Sequence, residues 1–325
     1  MNLFAESLRQ MLGAEPRRPE KDDYTEEARK LHEFKKTPEE RERRRRLLAE
    51  ELANKKESFA WRKWRWPSII IINLLFVVSY YYDIQLVEGA LTASRVLGFH
   101  FADLNSALQV MLAFKEVLIN LAIGVTTVAV LWWLVGGRSF CAWACPYHLL
   151  SEWVEMLHVR LAAKGWAKDY QLDRRLRTVL YVVFAVLAFV TGYTVFEWVS
   201  PVGITSRALI YGTLGGMVWV VLLLLIELFF VRRMWCRYMC PIGLTYAVVG
   251  SVSPTTVHYD LSKCLHEGEC RKVCLVPHVL EITKKGRATK AQIDIGADCT
   301  RCAMCIEACP TGALSFRIKG LDKLL

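Results

Sequence analysis

Residues 299–310 read Cys299-Thr300-Arg301-Cys302-Ala303-Met304-Cys305-Ile306-Glu307-Ala308-Cys309-Pro310. Thiols spaced x2, x2 and x3 and closed by a proline favour one chemistry. A compact loop must wrap a cube about its own size, so three thiolates come from closely spaced positions and the fourth reaches a second cube. Pro310 turns the chain away, and Thr311-Gly312 lets a new turn begin. Zinc sites use paired Cys-x2-Cys units joined by a longer linker, and this run has no such linker. The reading is a [4Fe–4S] site.

A second, altered copy lies upstream as Cys264, Cys270 and Cys274, with Pro277 nearby. Laid on the same template the positions are 264, 267, 270 and 274, and position 267 is Glu267 rather than cysteine. If the usual crossing holds, Cys299, Cys302, Cys305 and Cys274 hold one complete cluster. Cys264, Cys270 and Cys309 then hold another that lacks one thiolate. Glu267 or neighbouring His266 could fill that position, or the site could carry three irons. An oxygen or nitrogen ligand is harder than thiolate and would shift the potential.

The rest of the chain looks quite different. It has 325 residues, enough for two domains, with 54% apolar and 23% charged residues. Mean hydropathy is +0.24. Residues 1–60 concentrate the charge, with 15 Lys and Arg against 14 Asp and Glu, and are too polar for a signal peptide. An ordinary soluble globule, a wholly disordered chain and a small secreted disulfide scaffold are excluded. Eleven cysteines, an odd number without a signal peptide, favour metal or redox use over disulfides. The net charge of +10 with pI near 9.1 would suit nucleic acid. The basic residues flank apolar runs, however, so membrane topology is the simpler account and no nucleic-acid partner is expected.

Four apolar runs, roughly Pro67–Val87, Val117–Val135, Val179–Val199 and Gly212–Val231, are each near the ~20 residues of a transmembrane helix. Cations set their orientation. Arg41, the arginines at 43–46, Lys55, Lys56, Arg62, Lys63 and Arg65 precede the first run. Arg138, Arg160, Lys164, Lys168, Arg174, Arg175 and Arg177 lie between the second and third, and Arg232, Arg233 and Arg237 follow the fourth. Trp61, Trp64, Trp66, Trp132, Trp133 and Trp198 sit at run ends, as interfacial aromatics do. The expectation is a multi-pass protein of the cytoplasmic (inner) membrane with both termini cytoplasmic. Its fold class is an α-helical membrane protein, with four transmembrane helices plus a small α+β two-cluster bacterial ferredoxin-like domain. The division is 1–60, a charged cytoplasmic arm; 61–250, the four-helix membrane domain; and 251–325, the ferredoxin-like domain. The arm reads as a solvated tail or as a docking segment for a partner.

A short repeat links the two halves of the apolar region. Phe140-Cys141-Ala142-Trp143-Ala144-Cys145-Pro146 follows the second run, and Trp235-Cys236-Arg237-Tyr238-Met239-Cys240-Pro241 follows the fourth. Cysteines at i and i+4 share a helix face. If the hairpins pack together, Cys141, Cys145, Cys236 and Cys240 converge, enough for a third iron–sulfur cluster or for redox-active thiols. The runs contain no histidine, and no Cys-x-x-Cys-His occurs, so intramembrane bis-histidine haem and c-type haem are excluded. Glu227 is the one charge deep inside a run, and with Asn73 it marks a candidate quinol site. The plainer reading pairs Glu227 with Arg232 or Arg233.

Four apolar runs, two Cys-x3-Cys-Pro motifs and a C-terminal ferredoxin module together resemble the NapH/MauN-type ferredoxin-like proteins, with NosR and CcoG sharing the general plan. The resemblance covers about residues 60–320. It rests on Gly137 to Pro146, on Trp235-Cys236 to Cys240-Pro241-Ile242-Gly243, on Cys274 to Leu280 and on Cys299 to Pro310. It implies electron transfer from membrane quinol towards a periplasmic nitrate or related respiratory reductase. It also implies lipid and quinone as contacts, and a ferredoxin-type subunit and a cytochrome or oxidoreductase subunit as partners. Glu267 departs from the family's cysteine, and the arm of residues 1–60 is longer than the family's. Two other functions remain open: a maturation factor that reduces a metal centre or thiol in a partner, and a membrane anchor for a soluble oxidoreductase.

Overall fold

Two prolines organise the middle of the molecule. Pro146 and Pro241 each occupy the first turn of a helix, where a missing N–H costs nothing. The cysteine before each of them is therefore a helix N-cap.

The computed structural model describes residues 3–53, 60–83, 87–96 and 99–320. The arm comprises α1 (Leu3–Met11), α2 (Glu26–Phe34) and α3 (Pro38–Ala53). Helix α4 (Ala60–Tyr81) leads into an antiparallel meander of β1 (Val87–Ala90), β2 (Ala93–Val96) and β3 (Phe99–Ala102). The helical body continues through α5 (Leu104–Phe114), α6 (Ile119–Val135), α7 (Ser139–Trp143), α8 (Pro146–Ala163) and α9 (Arg175–Thr191). It closes with α10 (Val195–Val199), α11 (Pro201–Tyr211), α12 (Met217–Phe229), a π-helical turn at Trp235–Met239 and α13 (Pro241–Ser251). The C-terminal part holds β4 (Thr255–Asp260), α14 (Glu269–Lys272), a 3-10 segment at Pro277–Thr283, β5 (Gln292–Asp294), α15 (Met304–Glu307) and β6 (Leu314–Ile318). Its sheet is antiparallel in the order β5-β4-β6, with Tyr259 opposite Ile293 on one side and Leu314 on the other.

The four expected transmembrane helices are not formed. Among the described residues no helix is long and apolar enough to cross a membrane. The apolar runs are real, but turns divide them. Gly192, left-handed at φ 72°, caps α9, and the rest of that run becomes the separate α10. The fourth run yields only the 13 residues of α12, about 20 Å against the ~30 Å of a bilayer core. Helices α6 and α9, of 17 residues each, reach about 26 Å. Helix α4 is longer, but its first turns carry Arg62, Lys63 and Arg65, and Asn73 lies in its middle. Several cations used to orient the runs are buried in the protein instead: Arg65, Arg138, Arg177, Arg233 and Arg237. Lys55 and Lys56 lie outside the described residues.

Two main cores meet at the cysteines. One gathers Phe140, Tyr147, Phe196, Val220, Leu223, Trp235 and Tyr246 within the helical body. The other gathers Tyr259, Leu261, Leu275, Leu280, Ile293 and Leu314 in the C-terminal part. Cys236 packs against both. The outer flanks of the helices leave Ile70, Ile71, Leu74, Val182, Val186 and Leu222 exposed.

The arm does not extend away from the body. Met11 is buried beside Leu244, Ala247 and Ala297. Ser7 Oγ accepts from the Ala297 amide at 2.8 Å, and the Thr25 amide donates to the Thr289 carbonyl at 2.9 Å. Lys35 Nζ donates to the Cys264 carbonyl at 2.5 Å.

Candidate iron–sulfur centres

The two Cys-x3-Cys-Pro motifs fold into the same local device. The Cys145 amide donates back to the Phe140 carbonyl at 3.3 Å, and the Cys240 amide to the Trp235 carbonyl at 2.9 Å, each spanning five residues. Cys145 has φ −71° and ψ 118°, and Cys240 has φ −72° and ψ 110°, both extended N-cap geometry. The Cys145 sulfur takes backbone N–H bonds from Tyr147 and His148, and the Cys240 sulfur from Ile242 and Gly243. Two helix N-termini thus point their free amides at sulfur, which favours the thiolate. Cys141, Cys145, Cys236 and Cys240 line one common cavity with Arg138, His148 and Leu275. Burial pushes all four thiols up, Cys240 to about 12, and neighbouring thiolates push Cys145 and Cys240 further.

Cys274, Cys299, Cys302 and Cys305 are buried together in the C-terminal part. Burial raises Cys274, Cys299 and Cys305, and the nearness of Cys302 adds to the rise in each. This is the set the crossing template selects. The remaining three, Cys264, Cys270 and Cys309, are half-buried and line a second cavity with His266, Glu267 and Thr283. Amides of His266 and Ala313 donate to the sulfurs of Cys264 and Cys309 at 3.4 and 3.3 Å. Glu267 is therefore placed with the third set.

These thiols fit iron–sulfur groups. All eleven cysteines are free. Buried thiolates that repel one another are unfavourable alone, and iron supplies the positive charge that reverses the cost. Among the described residues no three His, Cys, Asp or Glu side chains converge tightly enough for a single metal ion. A cluster makes no such demand, since its sulfurs surround a cube rather than a point.

Glu227 and Asn73 do not line the four-thiol cavity; both are bonded to residues of the surrounding helices. Glu227 accepts from Ser151 Oγ at 2.5 Å, the Trp235 amide at 2.9 Å and Tyr147 Oη at 3.1 Å. Arg233 instead pairs with Glu155 at 2.6 Å, and Arg232 with Glu155 at 3.4 Å. Asn73 Nδ2 donates to the carbonyls of Ile69 and Ala144 at 2.8 and 3.0 Å. Both residues tie helices to the cysteine motifs.

Reasoning from the sequence missed a buried charge network between the sites. Asp298, next to Cys299, pairs with Arg138 at 2.7 Å, Arg177 at 3.0 Å and His278 at 2.9 Å. Arg138 also hydrogen-bonds the Cys141 thiol. The two arginines hold the Asp298 carboxyl well below the usual range against its burial. A signal was present: each motif carries an arginine three residues before its first cysteine, Arg138 and Arg233.

A family model described as a 4Fe-4S binding domain matches residues 118–164 and 213–255, the segments that carry these two motifs. The chain is 29% identical to the methylamine utilization ferredoxin-type protein MauN of Methylorubrum extorquens, over 80% of this chain and 89% of that protein. It is 30% identical to the ferredoxin-type protein NapH of Escherichia coli K12, over 77% and 88% of the two chains. With MauN of Paracoccus denitrificans the identity is 32%, over 66% and 75%. The chain belongs to the NapH/MauN ferredoxin-type family. No solved structure matches it. Membership in the NapH/MauN family and the 4Fe-4S match together support an iron–sulfur electron-transfer role.

Proposed function

We propose that the chain relays single electrons along three iron–sulfur sites. The first is the junction of Cys141, Cys145, Cys236 and Cys240, the second Cys274, Cys299, Cys302 and Cys305, and the third Cys264, Cys270 and Cys309. The observation that carries this reading is their continuity. Cys236 packs against both cores, Leu275 beside Cys274 lines the four-thiol cavity, and Cys264 and Cys270 pack against the core that holds Cys274, Cys299 and Cys305. Each cluster supplies a one-electron couple when bound. The chain's own residues set position and charge. Helix N-termini face Cys145 and Cys240, Arg138 faces Cys141, and Glu267 takes the missing fourth position at the third site.

In this reading the donor is a quinol and the acceptor is a respiratory redox partner. The protein works at the inner membrane, held by the exposed apolar flanks of α4, α9 and α12. Flotation with liposomes checks that placement, and a protein left entirely in the lower fractions removes it.

Iron and sulfide analysis with EPR on anaerobically purified protein tests the relay. The wild type should hold about 11–12 irons. A Cys141/Cys145/Cys236/Cys240→Ser variant should lose about four of them. Equal iron in both proteins would confine clusters to the C-terminal part and end the three-site reading.

A further inference from the structure

The arm and the C-terminal part enclose a cavity of about 350 Å³ that the relay itself does not use. Its walls carry Lys35, Lys36, Arg41 and Arg44 from the arm, and His266 and Lys285 from the C-terminal part. Glu33 is the one carboxylate among its lining residues. We propose that this basic cavity is the docking site of a small acidic electron-carrier protein, which exchanges electrons with the Cys264/Cys270/Cys309 site. The inference rests on the electron-transfer reading and names the kind of partner for its outer end.

Three features point there. The cavity touches the third site: His266 lines both cavities, and Lys35 is bonded to the Cys264 backbone. The third site is also the accessible end of the C-terminal thiols, since Cys264, Cys270 and Cys309 are half-exposed while Cys274, Cys299, Cys302 and Cys305 are buried. An electron leaving to another protein has the shortest route here.

The third feature is charge. Lys36, Arg41 and Arg44 from the arm and Lys285 from the C-terminal part line it together, and among the described residues none of the four is held in an ion pair. Beyond the cavity the charges of α3 are paired, Arg43 with Glu40 at 3.4 Å and Arg46 with Glu42 at 2.6 Å, so the basic character is concentrated at the cavity wall beside Cys264. A small anion would have no use for the neighbouring thiols, whereas an acidic electron carrier would be held by this wall with its own redox centre beside the Cys264 site that adjoins it. Opposed charges of this kind steer encounter and raise on-rates by about 10–10³-fold, an effect that salt screens.

The test is stopped-flow electron transfer from a reduced acidic ferredoxin, used as probe, to the full-length holoprotein. Wild type and a Lys36→Glu/Arg41→Glu/Arg44→Glu variant are compared. The second-order rate constant of the wild type should fall steeply between low and high salt. The variant should be at least tenfold slower at low salt, with unchanged iron content and EPR spectrum. Photoreduction by neutral deazariboflavin should proceed equally in both proteins. An unchanged rate in the variant, or a wild-type rate indifferent to salt, would overturn the docking site. So would tight binding of inorganic phosphate or citrate in the cavity without competition against the ferredoxin. Clusters that neither ferredoxin nor deazariboflavin can reduce would instead sink the electron-transfer reading.

Discussion

Two carboxylates show how one residue type takes opposite parts according to its surroundings. Glu227 is buried, and burial raises its pKa above the ordinary 4.5 despite the bonds from Ser151, Trp235 and Tyr147. A raised carboxyl contributes stability that is present below pH 4.5 and is lost as pH climbs through its folded value. Glu227→Gln removes that titration while keeping an oxygen for the Trp235 amide. The variant's urea midpoint should therefore gain on the wild type as pH rises above 4.5, and parallel midpoints at all pH values would show that Glu227 does not titrate there. Glu267 instead lines the cavity of Cys264, Cys270 and Cys309, where the proposed relay gives it a ligand's part. Changing it to cysteine restores the template, so Glu267→Cys should shift the EPR signal and potential of the third cluster and leave the other two unaltered. An unaltered third signal would remove Glu267 from that cluster. At this scale the grouping of the cysteines was readable because the spacing of the runs fixes which thiols the fold can bring together. The partners of Glu227 were not, because Ser151 and Trp235 are distant in sequence and only the folded hairpins bring them together.

The repeat is most informative at the level of elements. Both Cys-x3-Cys-Pro motifs end in a five-residue turn, an N-cap cysteine and a proline-led helix. That design follows from the proline, which cannot continue a helix but starts one well. The pairing of the two copies depends on backbone contact as well. Gly137, left-handed at φ 64°, sits against the Gly250 backbone, and a Cβ there would strike it. Gly137→Ala should cost at least about 1–3 kcal/mol from backbone strain alone and loosen the four-thiol junction, read as a lower Tm and lower iron occupancy. Full iron content at wild-type Tm would show that the contact yields easily. The Arg138–Asp298–Arg177 group joins the junction to the C-terminal part. Asp298→Asn leaves two buried guanidinium groups short of a counter-charge, a loss of about 3–5 kcal/mol in denaturant unfolding. A loss below 1 kcal/mol would mean that water or Cys299 replaces the carboxylate.

The sequence and the structure diverge most at the scale of the whole molecule. A hydropathy window counts apolar residues but sees neither the turn at Gly192 nor the break before Met217. Nor can it see that Arg65 pairs with Glu152, or that Arg138 and Arg177 pair with Asp298, inside the fold. Cations taken as signposts of topology are thus internal partners. The arm shows the same limit in reverse: its charge suggested a segment in water, while a thin apolar stripe seats it on the protein, Met11 against α13 and Ala297 and Ala28 in the C-terminal core. Leu3 and Leu31 pack against the core that holds Cys274, Cys299 and Cys305. The arm therefore covers the C-terminal thiols as well as forming one wall of the basic cavity. Deleting residues 1–36 should leave the helical junction in place, since Cys145 and Cys240 belong to the helical core and Cys141 and Cys236 pack against it. It should expose the third site, whose neighbour Lys35 is lost. A ferrous chelator should then remove about four irons faster from the truncated protein than from the wild type, with the remaining irons released at the old rate. Release at one common, unchanged rate would show that the arm contributes nothing to cluster retention, and its seating would then matter for docking alone.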